Sequence, residues 1–208
     1  MYKVVAKTPG EAWMKAVKRV MKFGSKVMDG NRKLKELINV FLIVENPCAT
    51  DQILKKYADS KMISWMRDNF LKSEPVLDWG YSYGQRFSNF DGVNQIEQVV
   101  QKLIKNPETK SATITLMDPK GDTHHVPCIV SIDFKIRNRY LITTAFFRSQ
   151  DVGKKIYADI ICIGEIAKRI AERANVEAGE LNILIVSLHY YEEDVDKINK
   201  LLLTNHEV

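Results

Sequence analysis

Three cysteines, Cys48, Cys128 and Cys162, are the candidate nucleophiles of this chain. Their odd number and irregular spacing fit neither a disulfide framework nor a CxxC metal site. Each is by default a small buried hydrophobe. Cys128 has a more specific setting. It follows Pro127 after a polar loop and opens an apolar run, and a proline tolerated at the first residue of a strand would fix the entry of the next side chain. Further on, Arg148-Ser149-Gln150-Asp151 ends the apolar run RYLITTAFF. A polar cluster at a strand terminus is where α/β proteins place binding groups. An arginine brought near a cysteine would favour the thiolate, its reactive form. The alternative is an Arg148–Asp151 ion pair that closes the strand and contributes little.

Asp159 lies among Ile156, Ile160, Ile161 and Cys162, so it either faces solvent or needs a partner. His189-Tyr190-Tyr191 follows the apolar run LNILIVSL, where a His–Tyr pair packs or caps more often than it catalyses. His124 and His125 are adjacent. Side chains that alternate direction along an extended loop rarely share a metal, even with Asp122 nearby, so no metal site is expected.

Those residues need elements to hold them. Residues 10–22 place Ala12, Trp13, Ala16, Val17, Val20 and Met21 on one helical face, and Gly24 follows as a stop. LINVFLIV at 37–44 reads as a buried strand. Residues 51–71 read as one or two helices, and SEPVLDWGYSYGQRFSNFDG as a long loop. A helix over 93–104 is broken by NPETK, and three strands follow, SATITLM, CIVSIDFKI and RYLITTAFF, the last two joined by a hairpin turn at RN. A long helix over 156–174, the strand LNILIVSL and a helix over 192–203 complete the chain. Strands and helices mixed without strict alternation argue α+β, a mixed or antiparallel sheet covered by helices. The 208 residues, with no linker between halves, predict one domain over 1–208.

Composition narrows the partners. The net charge is +5, but the lysines are spread out, which argues against a nucleic-acid groove. No apolar run approaches the roughly 20 residues needed to span a bilayer, and the N-terminus has no signal core. The expectation is a cytoplasmic protein without a membrane partner.

In order and spacing, residues from about 78 to 202 resemble thymidylate synthase. The matching pieces are Tyr83-Gly84-Gln85-Arg86-Phe87, similar to the family's YG-x-x-W-R, then Asn106-Pro107, Pro127-Cys128, Arg148-Ser149-x-Asp151-Val152 and His189-x-Tyr191. The separations from Cys128 to Arg148 and from Arg148 to Asp159 match as well, and the short length is most similar to the compact archaeal branch.

The resemblance implies a one-carbon transfer, as methyl or hydroxymethyl, to C5 of a pyrimidine nucleotide monophosphate. It implies a homodimer paired sheet to sheet. The implied donor is 5,10-methylenetetrahydrofolate or a related modified pterin. Cys128 would add to C6, Arg148 and Ser149 would hold the phosphate, and His189 and Tyr191 would hold the sugar 3′-hydroxyl. Tyr83 would lie near C5, and Asp151 by the base and the cofactor, with Trp79 on the cofactor side. Lys110 would reach the partner subunit's phosphate, because Lys110-Ser111 stands where the family has paired arginines. Ile129 and Phe147 replace polar family residues, the chain stops soon after its last helix, and no acid matches the family's N-terminal glutamate, Glu45 and Glu74 being guesses. A catalytically silent nucleotide-binding relative is the competing reading.

Asp159 stands in the place of the family's base-reading asparagine. An ionised aspartate has no donor for uracil O4, whereas it can accept from the N4 amino group of cytosine. N3 of cytosine is an acceptor, so one shared proton is needed, and burial would favour it. A cytosine nucleotide, dCMP or CMP, is therefore expected over dUMP. If Asp159 faces solvent or pairs with Lys155, dUMP remains the substrate.

Overall fold

A computed structural model describes residues 1–49, 51–75 and 80–203. In chain order its elements are β1 (Tyr2–Ala6), α1 (Pro9–Phe23), β2 (Ser25–Asp29), β3 (Arg32–Val44), α2 (Gln52–Tyr57) and α3 (Ser60–Leu71). Then come α4 (Tyr83–Ser88), α5 (Gln95–Lys105), β4 (Thr113–Thr115), β5 (Ile129–Arg137) and β6 (Tyr140–Asp151). The chain continues through α6 (Ile156–Arg173), β7 (Glu177–Tyr191), a 3-10 turn (Glu192–Asp194) and α7 (Val195–Leu203). The seven strands form one sheet in the order β1-β3-β7-β6-β5-β4, with β2 paired to β3 outside that path. β1 with β3 and β6 with β7 are parallel, and the other pairs are antiparallel. This is the mixed α+β sheet that the sequence predicts.

Strand alternation sorts side chains by face. On one face Leu141, Ala145 and Phe147 of β6 and Leu181, Ile183 and Ile185 of β7 are buried. Helices α1 and α6 pack against β3, β6 and β7. In α6 the isoleucines 156, 160, 163, 166 and 170 are all buried. In α1 the Thr8 hydroxyl accepts from the Glu11 amide, and Pro9 starts the first turn, where a missing N–H costs nothing. Along the other face Phe41 lies opposite Leu184, which lies opposite Phe146, and all three are partly buried.

The β5–β6 hairpin turns through Asn138 and Arg139, both at positive φ, as a tight primed turn requires. The segment expected to be a long loop contains α4. Its first turn is capped by Ser82, whose hydroxyl accepts from the Gln85 amide at 2.9 Å. Gly84 lets α4 press against the end of α3, since a Cβ there would sit 2.2 Å from the Lys72 carbonyl oxygen. Six residues are too few to display a helical repeat in the sequence. β1 and β2 are also additions to the expected set. Among the described residues no helix is long and apolar enough to cross a membrane.

Candidate active site

Because β6 and β7 are parallel, their C-terminal ends lie side by side, with Ser149 opposite Ser187 and Asp151 opposite His189. β3 runs antiparallel to β7, so its early residues reach the same end, with Glu36 opposite His189. β5 starts beside the end of β6, and the Arg148 amide donates to the Cys128 carbonyl at 2.9 Å. A cavity of about 760 Å³ opens there. The β2–β3 hairpin gives it Met28 and Arg32, α3 gives Met62, Trp65, Met66 and Asn69, and the loop before β5 gives His124, His125 and Val126.

Cys128 is half-buried on the cavity wall. Its sulfur lies 3.3 Å from Lys155 Nζ and 3.6 Å from Ser149 Oγ. Burial works to lower the Lys155 pKa, but Cys128, Asp159 and Asp151 outweigh it and hold the ammonium protonated above the usual lysine range. From behind, the Tyr83 phenol oxygen accepts from the Cys128 amide at 3.2 Å and the Ile129 amide at 3.3 Å. Those two donors leave Tyr83 its own O–H to offer. Burial pushes the phenol well above its ordinary pKa, so it stays protonated. Arg148 does not pair with Asp151. It donates from Nε to the Pro127 carbonyl at 2.9 Å and from a terminal nitrogen to the Val126 carbonyl at 2.6 Å.

Asp151 Oδ1 accepts from the Gly153 amide at 2.8 Å and the Lys154 amide at 3.2 Å. Burial raises its pKa, partly offset by His189 and the Gly153 N–H. Burial also lowers the His189 pKa, despite Asp151 nearby, so the ring is neutral at pH 7. Tyr191 meets the His189 ring edge-on, with centroids 5.3 Å apart, and the Arg32 guanidinium covers the Tyr191 ring at 3.3 Å. Asp159 is 2% exposed, and its Oδ2 accepts from Gln150 Nε2 at 2.7 Å. Burial raises its pKa to about 6 against the pull of Lys155 and Gln150.

A sequence model of the family described as thymidylate synthase matches residues 17–207. The chain belongs to the thymidylate synthase family. A Methanosarcina mazei protein provisionally named as a thymidylate synthase is 31% identical over 95% of this chain and 93% of its own. One from Methanococcoides burtonii, with the same provisional name, is 30% identical over 96% and 94%. Another such protein, from Methanothermobacter marburgensis, is 28% identical over 92% and 93%.

Of the residues the family resemblance singled out, Cys128, Tyr83, Arg148, Ser149, Asp151, His189 and Tyr191 all line the one cavity. Asp159 sits in the core near it. Its charge raises the pKa of both Tyr83 and Lys155, and it does not face solvent. Lys110 is exposed and is not among the lining residues, and Glu45 and Glu74 are likewise exposed and outside it. Trp79 lies outside the described residues. His124 and His125 reach the cavity, but Asp122 is engaged by Arg86, and no group of three metal-ligating side chains occurs among the described residues.

The sequence reading missed Lys155, Glu36, Ser187 and Arg32 as cavity residues. Only Lys155 left a trace in the sequence. It is a cation at the start of a helix, where the helix dipole opposes positive charge, so its position needs a reason.

Proposed function

We propose that the protein transfers a one-carbon unit to C5 of a pyrimidine nucleotide monophosphate, with Cys128 as the nucleophile. The observation that carries this reading is the setting of the Cys128 sulfur, between the Lys155 ammonium and the Ser149 hydroxyl, in the cavity that Arg148, His189 and Tyr191 also line. Arg148 and Ser149 would hold the phosphate, a guanidinium being suited to two phosphate oxygens at once. His189 and Tyr191 would hold the sugar.

The chemistry uses these groups in sequence. C5 of a pyrimidine is a poor nucleophile. Thiolate addition to C6 forms the C–S bond and moves the ring π electrons onto C5, which is covalent catalysis. Tyr83, whose phenol keeps its proton, would donate it in a hydrogen bond toward the charge that develops. After C5 has accepted its new carbon, loss of the C5 proton would let that carbon's bond to the donor nitrogen break. Addition of a hydride from the reduced donor, giving methyl, or of water, giving hydroxymethyl, with departure of the sulfur as thiolate would then restore the ring. A flat pterin bound beside the nucleotide would find Trp65 and Tyr81 as ring surfaces and Asp151 as an acceptor for its N–H groups, all three residues lining the cavity. When bound, 5,10-methylenetetrahydrofolate or a modified pterin supplies the carbon unit.

For the base, the buried Asp159 favours cytosine. A carboxyl whose pKa lies about 6 can share the proton that a cytosine N3 contact needs. An unpaired buried polar group costs about 1–3 kcal/mol, roughly 5- to 150-fold in preference. Tritium release from C5-labelled dCMP, CMP and dUMP, with and without methylenetetrahydrofolate, tests the whole reading. Donor-dependent release from a cytosine nucleotide is expected. Nucleotide binding without release from any of them would leave a catalytically silent relative instead.

A further inference from the structure

Glu36, Ser187 and His189 all line the cavity and form a hydrogen-bonded line across β3 and β7. Ser187 Oγ donates to Glu36 Oε1. A serine hydroxyl has one proton, so with that proton committed to the carboxylate, Oγ can only accept. Oγ lies 3.3 Å from His189 Nδ1. The Ser187 carbonyl, also an acceptor, lies 3.3 Å from the same nitrogen. Two acceptors therefore face Nδ1, and it carries the ring proton.

We propose that Glu36, acting through Ser187, is a positioning residue that fixes His189 as the Nδ1–H tautomer, so that Nε2 accepts a hydrogen bond from the ligand's sugar hydroxyl. The tautomer follows from the geometry alone, and the hydroxyl rests on the function proposed above. The charged groups acting on the ring are Glu36 from β3, Asp151 from β6 and Lys155 at the start of α6. The two carboxylates favour a ring proton, and Lys155 opposes one. An acceptor nitrogen welcomes a free 3′-hydroxyl and opposes a 3′-phosphate, which presents acceptor oxygens of its own. The site would thus select a free nucleotide over a residue within a polynucleotide.

Long-range proton–nitrogen correlation spectra of the ¹⁵N-labelled protein at pH 7.5 test the tautomer, with His189 assigned by His189→Gln. Nδ1 should read as protonated and Nε2 as unprotonated. In Glu36→Ala the freed Ser187 hydroxyl can donate to Nδ1, so a population protonated at Nε2 should appear. Wild-type His189 protonated at Nε2 would overturn the proposal even if no variant folds. So would an unchanged tautomer in a folded Glu36→Ala. Separately, 3′-deoxy analogues should bind about three- to tenfold more weakly than dCMP or dUMP, the size of one net hydrogen bond. Equal affinities with the Nδ1–H tautomer observed would remove the sugar contact, and with it that part of the functional reading, while leaving the Glu36 relay standing.

Discussion

At the scale of single residues, the three cysteines separate by setting. Cys128 meets Lys155 and Ser149 in a cavity, Cys48 is exposed, and Cys162 is buried in α6. Cys128→Ser should abolish turnover in the tritium-release assay while equilibrium nucleotide binding survives; wild-type-like turnover would sink the nucleophile assignment. Cys162→Ala should cost about 1–3 kcal/mol in urea unfolding, and Cys48→Ala less. Asp159 predicts a pH signature. Its carboxyl pKa is raised from 3.8 to about 6, so ionising it opposes folding. That penalty is absent below about pH 4 and complete above about pH 6. Asp159→Asn removes it, and the variant should gain about 2–3 kcal/mol over wild type at pH 8, shrinking as the pH falls through 6. A stability difference that is flat with pH would refute the buried titration. The same variant should shift the kcat/KM ratio toward dUMP. An unchanged dCMP-to-dUMP ratio would show that this side chain does not read the base.

At the scale of elements, length and repeat decided what the sequence could disclose. α1 and α6 run through several turns with an unbroken apolar face, so their bounds were readable within a residue or two. β3 was read only over its apolar C-terminal part and β7 only over its apolar middle, and the polar stretches left out carry Glu36 and Tyr191. Glu36 and Ser187 meet across 151 positions, a pairing that no local pattern encodes. The short α4 was hidden by its length, yet it sets the cavity wall. Its Arg86 forms a bidentate pair with Asp122, the side chains 6% and 2% exposed, and also donates to the Leu116 carbonyl. That pair holds the loop leading to His124, His125 and Cys128. Removing one partner strands the other as a buried charge, so Asp122→Asn should destabilise by about 3–5 kcal/mol in urea unfolding. A loss below about 1 kcal/mol would mean that water reaches Arg86.

At the scale of the whole molecule, the sheet has two unlike faces. One is sealed by α1 and α6, and the other keeps Phe41, Leu184 and Phe146 only partly buried in a row. A row of apolar side chains left uncovered by helices is where we propose that a second copy packs. A homodimer closed through this face is the expected solution state, and light scattering at micromolar concentration should give twice the 23.9 kDa chain mass. A single-chain mass would refute it. Lys110, exposed and away from the cavity of its own chain, would then serve the partner's phosphate site. On that reading, Lys110→Ala should weaken nucleotide binding without changing base preference, as measured by dissociation constants for dCMP and dUMP.

The Tyr83 phenol takes both of its donors from the backbone at the head of β5, the amides of Cys128 and Ile129. Amide hydrogens in a strand normally exchange with solvent when the strand itself opens. These two depend instead on a side chain from α4, a helix distant in sequence. Their exchange should follow the opening of α4, and Tyr83→Phe should speed it while the amides of Ile132 and Phe134 keep their wild-type protection. The backbone carrying Cys128 would then move in time with a six-residue helix rather than with the sheet it belongs to.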